Sequence, residues 1–171
     1  MSEDRRRRIV DLIAQAREPI TGTELAHLLG VSRQIIVQDM AILRASGADI
    51  VATPRGYLGS RSRGGRLTFR EVLPVKHGRE QIEMELNTLV DLGLRVLDVI
   101  VDHPVYGELR GNLMLESRAD VRQFMQRLEG AEPLSALTKG VHLHTVETSR
   151  AGAIEEARQA LRELGILLAE Q

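Results

Sequence analysis

One stretch of the chain cannot join any hydrophobic core. Gly59-Ser-Arg-Ser-Arg-Gly-Gly65 holds three glycines, two serines and two arginines, and no apolar side chain. Such a segment reads as a flexible joint. The residues on either side must then bury separate cores. With 171 residues, 43% of them hydrophobic, there is enough chain for two small domains. We place an N-terminal domain at 1–60, a linker at 61–66 and a C-terminal domain at 67–171. Charge divides along the same line: residues 1–66 carry 11 Arg and 7 Asp/Glu, the remainder 12 Lys/Arg and 17 Asp/Glu. A basic front half on an acidic back half is the pattern of a DNA reader joined to something else. Chance segregation would give the same numbers.

The front half is punctuated like a three-helix unit. Asp4 to Arg17 repeats apolar residues at Ile9, Leu12, Ile13 and Ala16, and Pro19 stops it. Thr21-Gly-Thr-Glu24 is a capping box opening a second helix, with Leu25, Leu28 and Leu29 inward and Gly30 as its stop. Ser32 caps a third helix that buries Ile36, Met40 and Leu43 and leaves Arg33, Gln34 and Gln38 outside. The short GVS turn between the second and third helices makes a helix-turn-helix. Two short strands around Pro54-Arg55-Gly56 then add a wing. A recognition helix presents its first turns to base edges and a wing reaches phosphates. Arg33 and Gln34 are therefore expected at bases, with Gln38 also on the DNA-binding face. Arg55 and the Arg5–Arg8 run, Arg7 and Arg8 above all, are expected at the backbone. For Arg5 and Arg6 a solvated helix end is an equal alternative. His27 reads as an ordinary surface or half-buried histidine. TGTELAHLLGVSRQIIVQDMAILRASGADIVATPRGY closely resembles the winged helix-turn-helix of the biotin-repressor type.

Beyond the joint, strand and helix patterns alternate as β-α-β-β-α-β-α, which implies an α+β fold in which the winged helix-turn-helix is joined to a small α/β sandwich. In GVHLHTVET, His142 and His144 fall on one face of a strand, roughly 7 Å apart, where core residues would be expected. His77 has the inward parity of Leu73 and Val75. In the helix over 79–93, at about 100° per residue, Glu85 falls between Leu89 and Leu92, inside the apolar arc. A buried carboxylate costs several kcal/mol unless a cation or donors meet it. A Glu snorkelling at the rim and three separate structural histidines are the plain alternatives. There is no Cys, so neither a disulfide nor a thiolate metal site is possible, and the simplest setting is a reducing cytoplasm. Three imidazoles and one carboxylate suit zinc, nickel or iron(II). The N-terminal residues hold no signal sequence or membrane span.

VLPVKHGREQIEMEL, VIVDHPVYGEL and TKGVHLHTVE resemble the three-histidine (3H) domain that follows a biotin-repressor-type helix-turn-helix in niacin-responsive transcriptional repressors. The resemblance implies a repressor of NAD-precursor uptake or biosynthesis genes with nicotinic acid as co-repressor. It carries the family's metal ligands onto His77, Glu85, His142 and His144. His103 and Tyr106 lie in the shared DHPVYGE motif, either structural or lining an effector pocket beside the metal. A twofold homodimer would read a palindromic operator in double-stranded DNA. Two other readings remain: a metal-sensing repressor, and a metalloenzyme tethered to a DNA-binding domain. Against an enzyme, no HExxH or nucleophile elbow is present, and Glu147 has the wrong parity to serve the pair as a base.

Overall fold

The structure, a computed structural model, describes residues 1–59 and 68–168. The chain divides into two compact units, Met1–Gly65 and Arg66–Gln171. The expected linker at 61–66 lies outside the described residues.

The front unit is α1 (Ser2–Gln15), α2 (Gly22–Leu29), α3 (Arg33–Ala45) and the hairpin β1 (Ile50–Thr53) with β2 (Gly56–Gly59). Helix α1 ends two residues earlier than its periodicity predicts, because Ala16 is already extended ahead of Pro19. The capping box forms as expected: Glu24 N–H donates to Thr21 Oγ1 at 3.1 Å and Thr21 N–H to Glu24 Oε2 at 2.7 Å. Gly30 ends α2 in the left-handed region, and Ser32 Oγ accepts from Ile35 N–H at 3.2 Å to start α3. Ile9, Ile13, Leu25, Ile36, Met40, Leu43 and Ile50 form the core. Leu28 does not join it and is 56% exposed. The buried arc of α2 is centred between Leu25 and Ala26, which leaves Leu28 outside it.

Tyr57 pairs with Ala52 in the wing and also exchanges backbone hydrogen bonds with Ile20, at 2.9 and 2.7 Å. The wing is thereby fastened to the residue that precedes the N-cap of α2. Gly56 makes that approach possible: its φ is 126°, and a Cβ there would lie 2.5 Å from the Ile20 carbonyl oxygen.

The back unit runs β3 (Phe69–Lys76), a 3-10 turn (Arg79–Gln81), α4 (Ile82–Asp91), β4 (Arg95–His103), β5 (Gly107–Leu115), α5 (Arg118–Leu128), a 3-10 turn (Leu134–Thr138), β6 (Val141–Thr148) and α6 (Ala153–Glu163). This is the expected element order, and every neighbouring strand pair is antiparallel in the order β3-β6-β4-β5. The last strand of this unit is thus inserted between its first two, β3 and β4. One core forms where Leu73, Val75, Val96, Leu113, Leu115 and Val146 of the sheet meet Leu86, Leu89, Val121, Ala157 and Leu161 of the helices. Ser117 and Asp120 form a second capping box at the start of α5.

Candidate metal centre and nucleic-acid interface

The strand register explains why two imidazoles stand in a core. His142 lies opposite Val75 and His144 opposite Leu73, two wholly buried residues of β3. His77 follows β3 with the same parity. Helix α4 brings Glu85 over this end of the sheet and leaves it 1% exposed; the three histidines are also buried. The three imidazoles converge on its carboxylate through Nε2. His77 lies 2.5 Å from Oε2, His142 3.6 Å from Oε2 and His144 3.2 Å from Oε1. The donor atoms of His77, Glu85 and His142 lie within 4.8 Å of one another. Neighbouring rings meet edge to face, with centroids 4.8 Å apart for His77 and His142 and 4.9 Å for His142 and His144.

The far side of each ring fixes its proton. Nδ1 of His77 faces the Gly78 carbonyl at 2.8 Å, that of His142 the Gly140 carbonyl at 2.8 Å, and that of His144 the Asp98 carbonyl at 2.7 Å. A carbonyl only accepts, so each Nδ1 carries a hydrogen, and in the neutral ring Nε2 keeps a lone pair aimed at Glu85. Backbone acceptors behind imidazoles are the usual means of fixing metal ligands. Burial disfavours the charged form of His77, yet its hydrogen bond to Glu85 and the carboxylate's charge raise its pKa overall. Burial likewise opposes the charge on His144, and Glu85 again raises it. Desolvation pushes Glu85 up, but the three imidazoles outweigh it and hold the carboxyl well below its usual range. Even so, Glu85 Oε1 and His144 Nε2 are buried and make no hydrogen bond. With His144 neutral these are two acceptors facing each other, which a cation would satisfy, and the donor set of three nitrogens and a carboxylate fits a divalent transition metal.

Glu147 points to the other face of β6, where it bonds Arg70 at 2.8 Å and also Arg95, consistent with the parity argument against a catalytic base. His103 caps its own turn, with Nδ1 accepting from the N–H groups of Val105 at 3.1 Å and Tyr106 at 3.3 Å. That leaves Nε2–H of His103, and the ring of Tyr106 5.0 Å away and 75% exposed, as the groups free to meet a ligand.

In the front unit, Arg33, Gln34 and Gln38 are all exposed on α3. Arg55 sits at the wing tip and bonds Glu18 at 3.0 Å, so a phosphate there would compete with a carboxylate. Arg7 is exposed beside Glu3, and Arg8 is exposed. Arg5 and Arg6 behave differently from both expectations for them. They turn inward onto Asp39 of α3, which is 2% exposed; Arg5 bonds it at 2.6 and 3.3 Å and Arg6 at 3.5 Å. These two arginines tie α1 to the recognition helix. Their contact spans 33 and 34 residues, and no local pattern announces it; the one clue is the inward position of Asp39 beside Met40 and Leu43. Replacing Asp39 by Ala leaves two half-buried cations without their partner. We expect about 1–2 kcal/mol of lost stability in chemical denaturation of the full chain.

Residues 70–170 match the 3H domain family, and residues 5–58 match an HTH domain family. The probable transcription repressor NiaR of Thermotoga maritima is 44% identical over 170 residues, covering 98% of this chain and 95% of that protein. The transcription repressor NadR of Bacillus subtilis is 39% identical over 171 residues, with the same coverage. Their names describe regulators rather than enzymes. Among the described residues no helix is long and apolar enough to cross a membrane.

Proposed function

Because the chain belongs to the 3H-domain transcription repressors, with an HTH domain ahead of the 3H domain, we propose that it is a cytoplasmic repressor of NAD-precursor uptake or biosynthesis genes whose co-repressor is nicotinic acid. In this reading His77, Glu85, His142 and His144 hold one zinc, nickel or iron(II) ion. The observation that carries it is the set of three carbonyl-fixed imidazoles whose Nε2 atoms all face one buried carboxylate. A bound ion supplies a Lewis-acidic position for the carboxylate of nicotinic acid. His103 and Tyr106 flank the pyridine ring, His103 as an Nε2–H donor. Two copies form a homodimer on a palindromic operator in double-stranded DNA, and effector binding shifts the spacing of the two recognition helices.

The test is a titration of DNA binding with nicotinic acid at saturating metal, and with metal alone. The niacin reading requires operator affinity to rise with nicotinic acid. If affinity follows the metal and ignores nicotinic acid, the ion itself is the signal. Turnover of a pyridine compound would instead favour an enzyme.

Side chains on the front unit separate by the kind of contact they make. Arg33→Ala is expected to cost about 1–3 kcal/mol of operator affinity and to relax the base preference at one position. Arg55→Ala should weaken operator and random DNA alike and lower the salt-dependence slope by about one. Binding isotherms on both DNAs at several salt concentrations measure the two effects.

A further inference from the structure

Strand β4 does not pair regularly with β6. Arg95 lies opposite Glu147 and Val96 opposite Val146, and pairing resumes only at Ile100 opposite Leu143. The register against β5 slips at the same place, between Val96 and Asp98. Asp98 stands in this gap, 3% exposed. Continuing the Ile100–Leu143 register would set Asp98 opposite Thr145 and leave the Thr145 amide to the Asp98 carbonyl. Side chains replace that exchange. Thr145 N–H donates to Asp98 Oδ1 at 2.8 Å, and the Asp98 carbonyl accepts instead from His144 Nδ1–H at 2.7 Å. The second carboxylate oxygen accepts from Arg110 Nη1 at 2.9 Å, which keeps the group turned toward the gap.

We propose that Asp98 is a positioning residue for the metal centre: by taking the Thr145 amide on its carboxylate, it holds the β4–β6 ladder open and reserves its own carbonyl for His144. The idea rests on the metal reading of the four-residue site, but the tautomer of His144 can be followed without any metal. An ordinary strand residue at 98 would let the ladder close, and His144 would lose the acceptor that keeps its hydrogen on Nδ1. Fold and site therefore make opposite demands on this position. A β-branched apolar residue suits the sheet, whereas only a short side-chain acceptor serves the ligand.

The experiment compares the full-length wild type with Asp98→Val and Asp98→Asn. Cobalt(II) is titrated by visible absorption, the metal-free proteins are melted, and the ring nitrogens of His144 are read by NMR after chelation. Asp98→Val is expected to lower cobalt affinity ~10–100-fold, to melt no lower than wild type without metal, and to move hydrogen from Nδ1 toward Nε2 of His144. Asp98→Asn keeps an acceptor oxygen and should stay within a few-fold of wild type. Cobalt affinity within threefold of wild type in Asp98→Val, with the His144 tautomer unchanged, overturns the proposal. So does an equal fall in metal-free melting temperature in both variants, which would make Asp98 simply structural. A wild type that takes up no cobalt would count against the metal reading, and the tautomer comparison would still decide the role of Asp98.

Discussion

Adding a single methyl group at Gly140 should dismantle the proposed metal centre. The residue has a φ of 92°, and a Cβ built on it would lie 2.4 Å from the carbonyl oxygen of His77 and 3.1 Å from its carbonyl carbon. These are backbone atoms, so no side chain can rotate away. The Gly140 carbonyl also serves two candidate ligands at once: it accepts from the His77 backbone N–H at 3.3 Å and from His142 Nδ1–H at 2.8 Å. In Gly140→Ala, either the strand end carrying His77 moves outward or the loop carrying Gly140 does. In both cases the shared acceptor is lost. The left-handed backbone alone costs about 1–3 kcal/mol for a residue with a side chain, and the clash adds to it. We expect at least ~100-fold weaker metal binding, with a lower melting temperature in the metal-free protein. Metal titration and calorimetry on the same preparation check both.

Glu85→Gln isolates charge from shape. The amide has nearly the same volume and can donate to an imidazole lone pair, so the chelated protein should unfold within about 1–2 kcal/mol of wild type. What it lacks is the negative charge that compensates a divalent ion among three neutral ligands. Wild type at a free metal concentration 100 times its Kd gains about 2.7 kcal/mol, which for a unit of this size is on the order of 10 °C in Tm. The variant should show almost none of that gain. If it keeps the full metal-induced shift, Glu85 is not a ligand.

The features visible in the sequence were those that depend on local periodicity. The winged helix-turn-helix follows from caps, a left-handed Gly30 and a tight Pro54-Arg55 turn, each decided within four residues. The four candidate ligands were visible because each breaks its own pattern: two imidazoles on an inward strand face, one at the inward end of β3, and an acid inside an apolar helical arc. What sequence could not show is set by contacts between distant segments. Leu28 was misplaced because a short helix fixes its inward direction only by packing. The pairing of Arg5 and Arg6 with Asp39 needs α1 laid against α3. Asp98 reads as one acid in a strand until the register slip against β6 is seen, and Gly140 reads as a loop glycine until His77 is found against it.

The order β3-β6-β4-β5 has a consequence in time. His77 and Glu85 leave the ribosome before His142 and His144, and among the described residues only the strand that carries the later pair joins β3 to β4. Until it does, the early half of the site offers one imidazole and one carboxylate, too few donors for tight capture of an ion. Metal uptake would then mark completion of the sheet, and a chain truncated before residue 142 would hold an acid in its core with too few of its partners.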